Sequence, residues 1–351
     1  MSKTTASDEQ LSDEQLIERC FELAKKALGN TSPNPLVGSV IVKNGKIIAE
    51  GFHLKSGLPH AEKDALTKAK EDVKGATLYC NLEPCCHTNK KTPPCTQAII
   101  DAGIKKVVIS NLDPNPFVAG QGVEILRAAG IEVEAGICEE KGRILNEVFF
   151  THITKKRPFV HLKWAQTIDG KIATQTYHSK WITSEVARSY VHRERNLYDA
   201  IAVGAKTANK DNPSLTIRLS GKEEKCKARI IFQGETKINP KLKVLTDQFK
   251  EQTIIVSQKN LTQAMKSLYQ QGICSIYVEG GAKLISSFIE KGLVDRLSVY
   301  IAPKLLGPGL SSFSTKAVDK MEQAHFFDNG CWTQIGPDVV FESRRNLCLQ
   351  D

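Results

Sequence analysis

Residues of metal-binding type and a glutamate stand close together in the first third of the chain: His60, Glu62, Cys85 and Cys95. One histidine and two cysteines can be ligands of zinc, which leaves the fourth tetrahedral position for a water. Zinc lowers the pKa of such a water to about 7. Glu62 lies two residues after His60, so its carboxylate can face the same water and carry a proton. The pattern therefore indicates hydrolytic chemistry at a zinc ion.

The spacing matches the first half of a signature found in zinc deaminases of nucleobases, H-x-E followed by P-C-x-x-C. The second half is stretched here, because nine residues separate Cys85 from Cys95. The alternative is two buried thiols and a surface histidine, which leaves both cysteines unexplained at positions directly after a proline. We therefore expect Zn²⁺ to be bound by His60, Cys85 and Cys95.

The elements around this motif alternate between strands and helices. Ser12 and Gln15 form a capping-box pattern at the start of a helix that reaches about Leu28. Asn44-Gly45 predicts a tight hairpin between strands at 37–42 and 46–52. Further helices are predicted at 61–70, 96–102, 123–129 and 141–150, and further strands at 76–81, 105–110 and 131–135. This alternation predicts an α/β fold with mixed or parallel pairing.

Length and composition restrict the class of protein. A chain of 351 residues suggests two domains with separate cores. No apolar run is long enough to span a bilayer, and the polar N-terminus resembles neither a signal peptide nor a transit peptide. Ten scattered cysteines favour reduced thiols in the cytoplasm. The net charge of +9 favours anionic partners, and its dispersed lysines and arginines favour small phosphates over nucleic acid.

The second half begins after a polar, basic stretch at 151–158, which is predicted to be a linker. Thr183 or Ser184 is expected to cap a helix. A buried strand from Ser275 then leads through Gly280-Gly281 into another helix. Such a turn can present unpaired helix N–H groups to a phosphate. The alternative is that these glycines only ease a tight turn, and the dinucleotide pattern G-x-G-x-x-G is absent.

Several motifs of the first half, taken together, resemble the deaminase domain of the bifunctional deaminase/reductase family of riboflavin biosynthesis. They are Thr31-Ser32-Pro33-Asn34-Pro35-Leu36-Val37-Gly38, His60-Ala61-Glu62, Glu83-Pro84-Cys85, Thr92-Pro93-Pro94-Cys95 and Asp113-Pro114-Asn115-Pro116. The resemblance implies a cytidine-deaminase-like fold and substrate contacts from Asn34, His53, His87, Asp113 and Asn115. It leaves the phosphate contact open between Lys90 and Lys91, because the loop is one residue longer than the family pattern. Cys86 replaces the usual Ser or Ala and is not expected to bind the metal.

Motifs of the second half resemble the reductase domain of the same family, which has a dihydrofolate-reductase-like fold and uses NADPH. They are Leu162-Lys163, Thr167-Ile168-Asp169-Gly170, Ser179-Lys180-Trp181-Ile182-Thr183-Ser184, the run 211–218, Val278-Glu279-Gly280-Gly281 and Tyr300-Ile301-Ala302-Pro303-Lys304. The resemblance implies a cofactor site formed by Ala165, Trp181, Thr207, Asp211, Gly281, Ala282, Lys283 and Leu284. It implies a substrate site formed by Lys163, Ser179, Arg195, Leu215, Arg218 and Glu279. Without the family, Arg195 would be placed on a solvated helix face.

The expected architecture is α/β throughout: a cytidine-deaminase-like α/β/α domain at 12–150, then a dihydrofolate-reductase-like domain at 158–349. The expected function is zinc-dependent deamination of 2,5-diamino-6-(ribosylamino)pyrimidinone 5′-phosphate, followed by NADPH-dependent reduction of its ribosyl group. No protein acid or base for the reduction is evident. The expected partner is a phosphorylated pyrimidine, with no nucleic acid, no membrane and a homo-oligomeric assembly. The alternatives are a nucleic-acid base deaminase with an unrelated C-terminal domain, and a non-catalytic module with a degenerate deaminase fold.

Overall fold

A computed structural model of the protein describes residues 11–87, 93–314, 319–327 and 330–344. The chain divides between Thr154 and Lys155 into two compact units, each with its own sheet and core. Among the described residues, no helix combines the length and the apolar character needed to cross a membrane.

The first unit is a mixed sheet with helices on both faces. Its elements are α1 (Asp13–Lys25), β1 (Gly38–Lys43), β2 (Lys46–Phe52), α2 (Ala61–Lys68), β3 (Thr77–Leu82), α3 (Cys95–Asp101), β4 (Lys106–Asn111), α4 (Gln121–Ala128), β5 (Glu132–Ala135), α5 (Glu139–Leu145) and α6 (Glu147–Lys155). The strand order is β2-β1-β3-β4-β5. β1 is antiparallel to both of its neighbours, whereas β3, β4 and β5 are parallel. The predicted mixed pairing is confirmed.

Alternation along the central strands creates a core on each face of this sheet. Leu78 and Cys80 on β3 join Ala61 and Ala65 of α2 in one buried cluster. Tyr79, between them in sequence, points the other way and packs in the cluster that includes α1. The sheet is therefore held between α2, α3 and α4 on one side and α1 on the other.

Local sequence signals decide several of the turns. Ser12 accepts a hydrogen bond from the Gln15 N–H, and the Gln15 side chain accepts one from the Ser12 N–H, so the predicted capping box is confirmed. Asn44 and Gly45 have φ values of 53° and 74°, the left-handed pair that a two-residue hairpin turn requires. The predicted hairpin is confirmed as well.

The prediction of a single helix at 141–150 is wrong, because the chain forms two helices, α5 and α6, on either side of Asn146. The Asn146 side chain accepts a hydrogen bond from the Leu36 N–H at 2.8 Å and donates one to the Leu36 carbonyl at 3.0 Å. A partner more than a hundred residues away thus fixes the break, which local periodicity cannot reveal. The stretch predicted as a linker is helical as far as Lys155.

The second unit is built on a mainly parallel sheet. Its elements are β6 (Phe159–Thr167), β7 (Lys171–Thr174), α7 (Glu185–Arg195), β8 (Ala200–Gly204), α8 (Ala205–Asp211), β9 (Ala228–Phe232), α9 (Lys243–Thr246), β10 (Thr253–Val256), α10 (Leu261–Gln270), β11 (Ser275–Glu279), α11 (Ala282–Glu290), β12 (Arg296–Ala302), β13 (Gly309–Ser311), β14 (Cys331–Ile335) and β15 (Asp338–Arg344). The strand order is β10-β9-β8-β11-β6-β12-β15-β14, with β7 paired to β13 separately. In the order of the sheet, neighbouring strands are parallel from β10 through β9, β8, β11 and β6 to β12. β15 and β14 then complete the sheet with antiparallel pairing.

The faces of the second sheet differ in polarity. Val160, Leu162 and Trp164 on β6 enter an apolar cluster shared with α10 and α11. His161 and Lys163 alternate with them and therefore lie on the opposite face. His161 is fully buried there and bonds to the hydroxyls of two other residues, so this side of the sheet carries a polar interior.

A glycine brings α2 unusually close to β2. A Cβ atom built on Gly51 would lie 2.3 Å from the Ala65 nitrogen and 2.5 Å from the Ala61 oxygen, both backbone atoms of the helix. Real Cβ atoms do not approach backbone so closely, so any larger residue must push the helix away. Because α2 begins directly after His60, this contact sets the position of the predicted metal site.

We predict that Gly51→Ala destabilises the first unit by about 1–3 kcal/mol, the usual cost of overpacking a core. Scanning calorimetry should show its transition at a lower temperature, and the purified variant should retain less zinc per chain. Lys46→Ala on the exposed start of the same strand is the matched control and should change neither quantity. Melting and zinc content equal to wild type in Gly51→Ala would show that α2 can move without consequence.

Candidate functional site

The zinc-type residues predicted from the sequence converge in the first unit. His60 Nδ1 lies 3.4 Å from the sulfur of Cys85 and 3.4 Å from the sulfur of Cys95. These candidate ligand atoms all lie within 4.8 Å of one another. One nitrogen and two sulfurs at such separations can share one zinc ion, whose bonds to them are about 2.0–2.3 Å long. The residues therefore fit the metal that their types indicate.

Helix starts and one closed loop position these ligands. His60 directly precedes α2, and Cys95 is the first residue of α3. The Cys85 carbonyl accepts hydrogen bonds from the N–H groups of Cys95 at 3.0 Å and Thr96 at 3.3 Å, which closes the intervening loop at its base. The Cys95 N–H also lies 3.4 Å from the Cys85 sulfur and donates to it. Such a donor favours the thiolate form that a metal ligand needs.

Glu62 is buried in the first turn of α2, with 3% of its surface exposed. Within the part of the chain that the structure describes, its Oε2 atom has no hydrogen-bond partner. Burial raises the pKa of this carboxyl group, and the negative charge of Cys85 adds to the rise. A buried carboxylate oxygen without a donor is costly unless a bound group meets it. Oε2 is therefore available to exchange a proton with a ligand.

Asn34 and His53 lie beside the metal ligands. His53 Nδ1 donates to the Pro59 carbonyl at 2.9 Å, so Nε2 accepts from the Asn34 amide at 3.0 Å. Burial lowers the pKa of His53, which favours this neutral tautomer. Its ring packs edge-on against the His60 ring, with 5.3 Å between centroids. The structure thus groups two of the predicted substrate residues with the zinc site.

The loop that carries Asp113 and Asn115 is held by a carboxylate whose role the sequence did not reveal. Glu83, at 3% exposure, accepts hydrogen bonds from the N–H groups of Asp113, Gly120 and Val123 at 3.1, 2.9 and 3.1 Å. The Asp113 and Asn115 side chains each accept a hydrogen bond from an N–H two residues further on. Glu83 therefore links the loop to the cysteine ligand that follows it in sequence. Its signal was a charged residue at the end of a buried strand.

The remaining predicted residues of the first half lie near the same loop or outside the described residues. The His87 ring is 6.5 Å from the ring of Phe117. The Cys86 thiol donates to the Phe117 carbonyl at 3.5 Å, and Cys86 does not belong to the ligand group found among the described residues. Lys90 and Lys91 lie outside the described ranges.

The second unit contains a cavity of about 790 Å³ next to the carboxyl ends of β8, β9 and β11. This size suits a cofactor or a small substrate, and this edge of a parallel sheet is where ligands bind. Most residues predicted for the second half line it: Ala165, Thr207, Asp211, Gly281, Ala282, Lys283 and Leu284 for the cofactor, and Lys163, Ser179, Arg195, Leu215 and Glu279 for the substrate.

A partly buried ion pair forms one wall of this cavity. Glu279 accepts two hydrogen bonds from the Arg195 guanidinium, one of them 2.8 Å long, and Arg195 also donates to the Thr216 carbonyl at 2.9 Å. Although burial acts in the opposite direction, Arg195 lowers the pKa of Glu279 to about 2. Burial lowers the pKa of the neighbouring Lys163, and Glu279 opposes that effect. With a side-chain exposure of 13%, Arg195 does not occupy the solvated helix face that local pattern suggested.

Trp181 and Arg218 lie outside the lining of the cavity as the described residues define it. Trp181 is 62% exposed, and its ring centroid is 4.4 Å from the guanidinium carbon of Arg188. Arg218 donates to the Thr216 hydroxyl at 2.8 Å and lies 3.3 Å from a ring nitrogen of His192. Their contacts with cofactor and substrate therefore stay predictions.

The turn at Gly281 forms a cradle with little room for a side chain. A Cβ atom there would lie 3.0 Å from the Thr207 hydroxyl, so the starts of α8 and α11 meet at this point. Beside them, the ammonium groups of Lys206 and Lys210 lie 5.0 and 4.9 Å from the centroid of the Tyr177 ring. Lys206 also donates to the Tyr177 hydroxyl at 3.2 Å.

This cluster of Lys206, Lys210, Lys283 and Tyr177, here named the lysine cluster, was only partly predicted from the sequence, because Lys283 alone of the four was named for the cofactor site. All four residues line the cavity. Lys206 lowers the pKa of Tyr177, and Lys210 and Lys283 add to the effect, which reports a local excess of positive charge. Ammonium groups around a glycine cradle fit the phosphates of NADPH. Lysines on a short helix carry no such signal in sequence alone.

Comparison with known proteins finds a matching family description for each half of the chain. The description "Cytidine and deoxycytidylate deaminase zinc-binding region" matches residues 10–111, and "RibD C-terminal domain" matches residues 158–341. The riboflavin biosynthesis protein RibD of Aquifex aeolicus is 47% identical over 320 residues, covering 85% of this chain and 89% of that protein. The structure of Acinetobacter baumannii RibD has a TM-score of 0.87 at 36% identity, covering 95% of this chain and 98% of that one.

A further solved structure is that of a diaminohydroxyphosphoribosylaminopyrimidine deaminase/5-amino-6-(5-phosphoribosylamino)uracil reductase from Thermotoga maritima. Its TM-score is 0.84 at 41% identity, covering 95% of this chain and 98% of that one. These matches confirm the predicted fold class in both halves. They disfavour a base deaminase with an unrelated C-terminal domain, because the second half matches as well. Similar to these proteins along most of its length, the chain belongs to the RibD family of riboflavin biosynthesis proteins.

Proposed function

We propose that residues 12–150 deaminate a phosphorylated pyrimidine ribosylamine, and that residues 158–349 reduce its ribosyl group to an open ribityl chain. The observation that carries the proposal is the convergence of His60, Cys85 and Cys95 in the same unit as the buried Glu62, whose Oε2 has no hydrogen-bond partner among the described residues. The similar Thermotoga maritima protein is a deaminase and reductase, which supports the same pair of activities here. The substrate is 2,5-diamino-6-(ribosylamino)pyrimidinone 5′-phosphate.

In the deamination, the protein's own residues orient the ring and move one proton. A zinc ion held by the three ligands would act as a Lewis acid and would lower the pKa of a water to about 7. Glu62 Oε2 takes a proton from the attacking water and delivers it to the leaving amine, which departs as ammonia. Asn34 and His53 hold the pyrimidine, and Asp113 and Asn115 contact it from the loop that Glu83 fixes. His87, with Lys90 or Lys91, is assigned to the substrate and its phosphate.

In the reduction, NADPH supplies a hydride when bound in the cavity. Transfer of that hydride to C1′ of the ribosyl group would require the bond between C1′ and the ring oxygen to break and that oxygen to take up a proton. Lys163 contributes an ammonium group to the cavity wall close to Glu279 in the predicted substrate site, so we assign it the proton. Arg195, Ser179 and Leu215 shape the substrate site with Glu279, and Arg218 is assigned to the phosphate.

Three properties of the assembly are part of the proposal. The exposed Trp332 on the edge strand β14 supports contact between copies of the chain, because open edges of this kind invite pairing. Scattered cysteines support the cytoplasm as the compartment. The dispersed positive charge supports a small phosphate as the ligand and argues against nucleic acid.

The proposed function is tested by mass analysis of products from purified, zinc-loaded protein. The diaminopyrimidine ribotide should become a deaminated product without NADPH, and a deaminated and reduced product with NADPH. Absence of conversion would refute the proposal, and RNA would then be the next substrate. Steep salt dependence of RNA binding would mark a nucleic-acid enzyme.

Glu62→Gln should lower the deamination rate by about 10²–10⁴-fold, because an amide cannot carry the proton. Zinc content should stay at the wild-type level, and reduction of separately supplied deaminated intermediate should be unaffected. Glu71→Gln, an exposed change of the same chemistry, is the control. If Glu62→Gln deaminates at the wild-type rate, Glu62 does not transfer the proton, and a non-catalytic role for the first unit gains support.

Lys206→Gln and Lys283→Gln should each raise the Kd for NADPH by roughly tenfold, the loss of one charge-assisted hydrogen bond. Fluorescence titration of the bound nicotinamide measures this without turnover. Equal weakening for NADH would assign the lysine cluster to the diphosphate, and weakening confined to NADPH would assign it to the 2′-phosphate. Lys266→Gln, at an exposed position on α10, is the control. Unchanged affinities in both variants would remove the lysine cluster from the cofactor site.

A further inference from the structure

A buried carboxylate lies behind the reductase cavity, and the proposed chemistry gives it no role. Glu194 precedes Arg195 on α7 and is 7% exposed. Its Oε2 atom accepts hydrogen bonds from the hydroxyls of Tyr277 at 2.7 Å and Tyr300 at 2.5 Å. Both tyrosines are completely buried. Two hydroxyl donors on one oxygen match a carboxylate anion, which offers lone pairs and no proton.

Tyr300 connects this carboxylate to the cavity. The Lys163 ammonium lies over the Tyr300 ring, 5.0 Å from its centroid, and Lys163 lines the cavity. An ammonium group is attracted to the negative face of an aromatic ring. Because Tyr300 donates its hydroxyl proton to Glu194, the hydrogen bond polarises the phenol and makes the ring face more negative. The Glu194 carboxylate, the Tyr300 phenol and the Lys163 ammonium thus form a series of contacts that connects the buried core with the cavity wall.

We propose that Glu194 and Tyr300 are positioning residues for the reduction, which together hold the Lys163 ammonium in place and keep it charged at the cavity wall. The inference rests on the proposed function, in which Lys163 gives its proton to the ring oxygen as the bond to C1′ breaks. Neither residue touches the substrate in this scheme. Both act through Lys163.

The charges that face Lys163 come from neighbouring elements. Burial is the largest influence and lowers the pKa of Lys163. Glu279 on β11 opposes this, Arg195 on α7 reinforces it, and Glu194 on α7 opposes it. Since Glu279 is already engaged by Arg195 in a two-bond ion pair, Glu194 supplies a second negative charge, at the hydroxyl of the phenol whose ring lies beneath Lys163.

The surroundings of Glu194 have also to be counted. Burial raises its pKa, the hydroxyls of Tyr300 and Tyr277 lower it, Glu342 on β15 raises it and Arg296 on β12 lowers it. Burial raises the pKa of the Tyr190 phenol on α7, and the charges of Glu342 and of Glu194 add to the rise. Glu342 is the useful comparison, because it acts on Glu194 but is not among the groups that influence Lys163.

The test is the pH dependence of a single reductive turnover with the full-length, zinc-loaded chain. Wild type, Glu194→Gln, Tyr300→Phe and Glu342→Gln would each receive 5-amino-6-(5-phosphoribosylamino)uracil and NADPH, with loss of NADPH absorbance as the signal. Supplying the deaminated compound removes the first unit from the measurement. Fluorescence titration of NADPH would be run in parallel and should be the same for all four proteins.

The direction of the expected shift follows from charge. Removing the anion lets Lys163 lose its proton more easily, so the alkaline limb of the rate profile in Glu194→Gln should move to lower pH by about 0.5–1 unit. Tyr300→Phe keeps the ring but breaks its bond to Glu194, and should shift the limb the same way by less. Glu342→Gln should leave the limb in place.

An alkaline limb at the wild-type position in Glu194→Gln, with unchanged NADPH binding, would overturn the inference. An equal shift in Glu342→Gln would overturn it too, since the effect would then belong to general charge. If Glu194→Gln does not fold, Tyr300→Phe decides, and a wild-type limb in that variant refutes the proposal. A wild type that leaves NADPH unoxidised would instead refute the proposed function itself.

Discussion

Removing a carboxylate from water costs several kcal/mol unless other groups replace the lost solvation, and the structure solves this problem differently at Glu83, Glu279, Glu194 and Glu62. Glu83 receives three backbone N–H groups and holds a loop. Glu279 receives a guanidinium and stays ionised. Glu194 receives two phenols. Glu62 keeps one oxygen without a donor in the described residues, which is what a group that must exchange a proton requires. Partner chemistry thus separates the other three glutamates from Glu62, to which the proposed function assigns the proton transfer.

The two sheets deliver these residues to the places where they meet. In the first unit, the parallel strands β3 and β4 end at Leu82 and Asn111, so Glu83 and Asp113 emerge side by side from the same edge. In the second unit, β8, β9 and β11 end beside the cavity and contribute Gly204, Phe232 and Glu279 to its lining. Parallel pairing therefore does in both units what ligand binding at the carboxyl edge of a sheet requires.

Sequence was sufficient where residue type and short spacing carry the chemistry. The His60, Cys85 and Cys95 set converges as predicted, and the Ser12 capping box and Asn44-Gly45 turn form because their partners lie within a few residues. It was insufficient where a partner is remote. The break at Asn146 depends on Leu36, and the role of Glu83 depends on a loop thirty residues or more away. Most of the residues named from the resemblance to a known family line the cavity, whereas Lys206, Lys210 and Tyr177 of the lysine cluster were missed.

The first N–H groups of α3 donate to the Cys85 carbonyl and so hold the two cysteine ligands together at the base of the loop. Ligand geometry is set by the two ends of the loop, so the number of residues between them is free to vary. The same hydrogen bonds bring the Cys85 and Cys95 sulfurs within reach of His60. A wide spacing in sequence is thus compatible with a compact ligand set, because contacts between its two ends take the place of the short spacing in the usual signature.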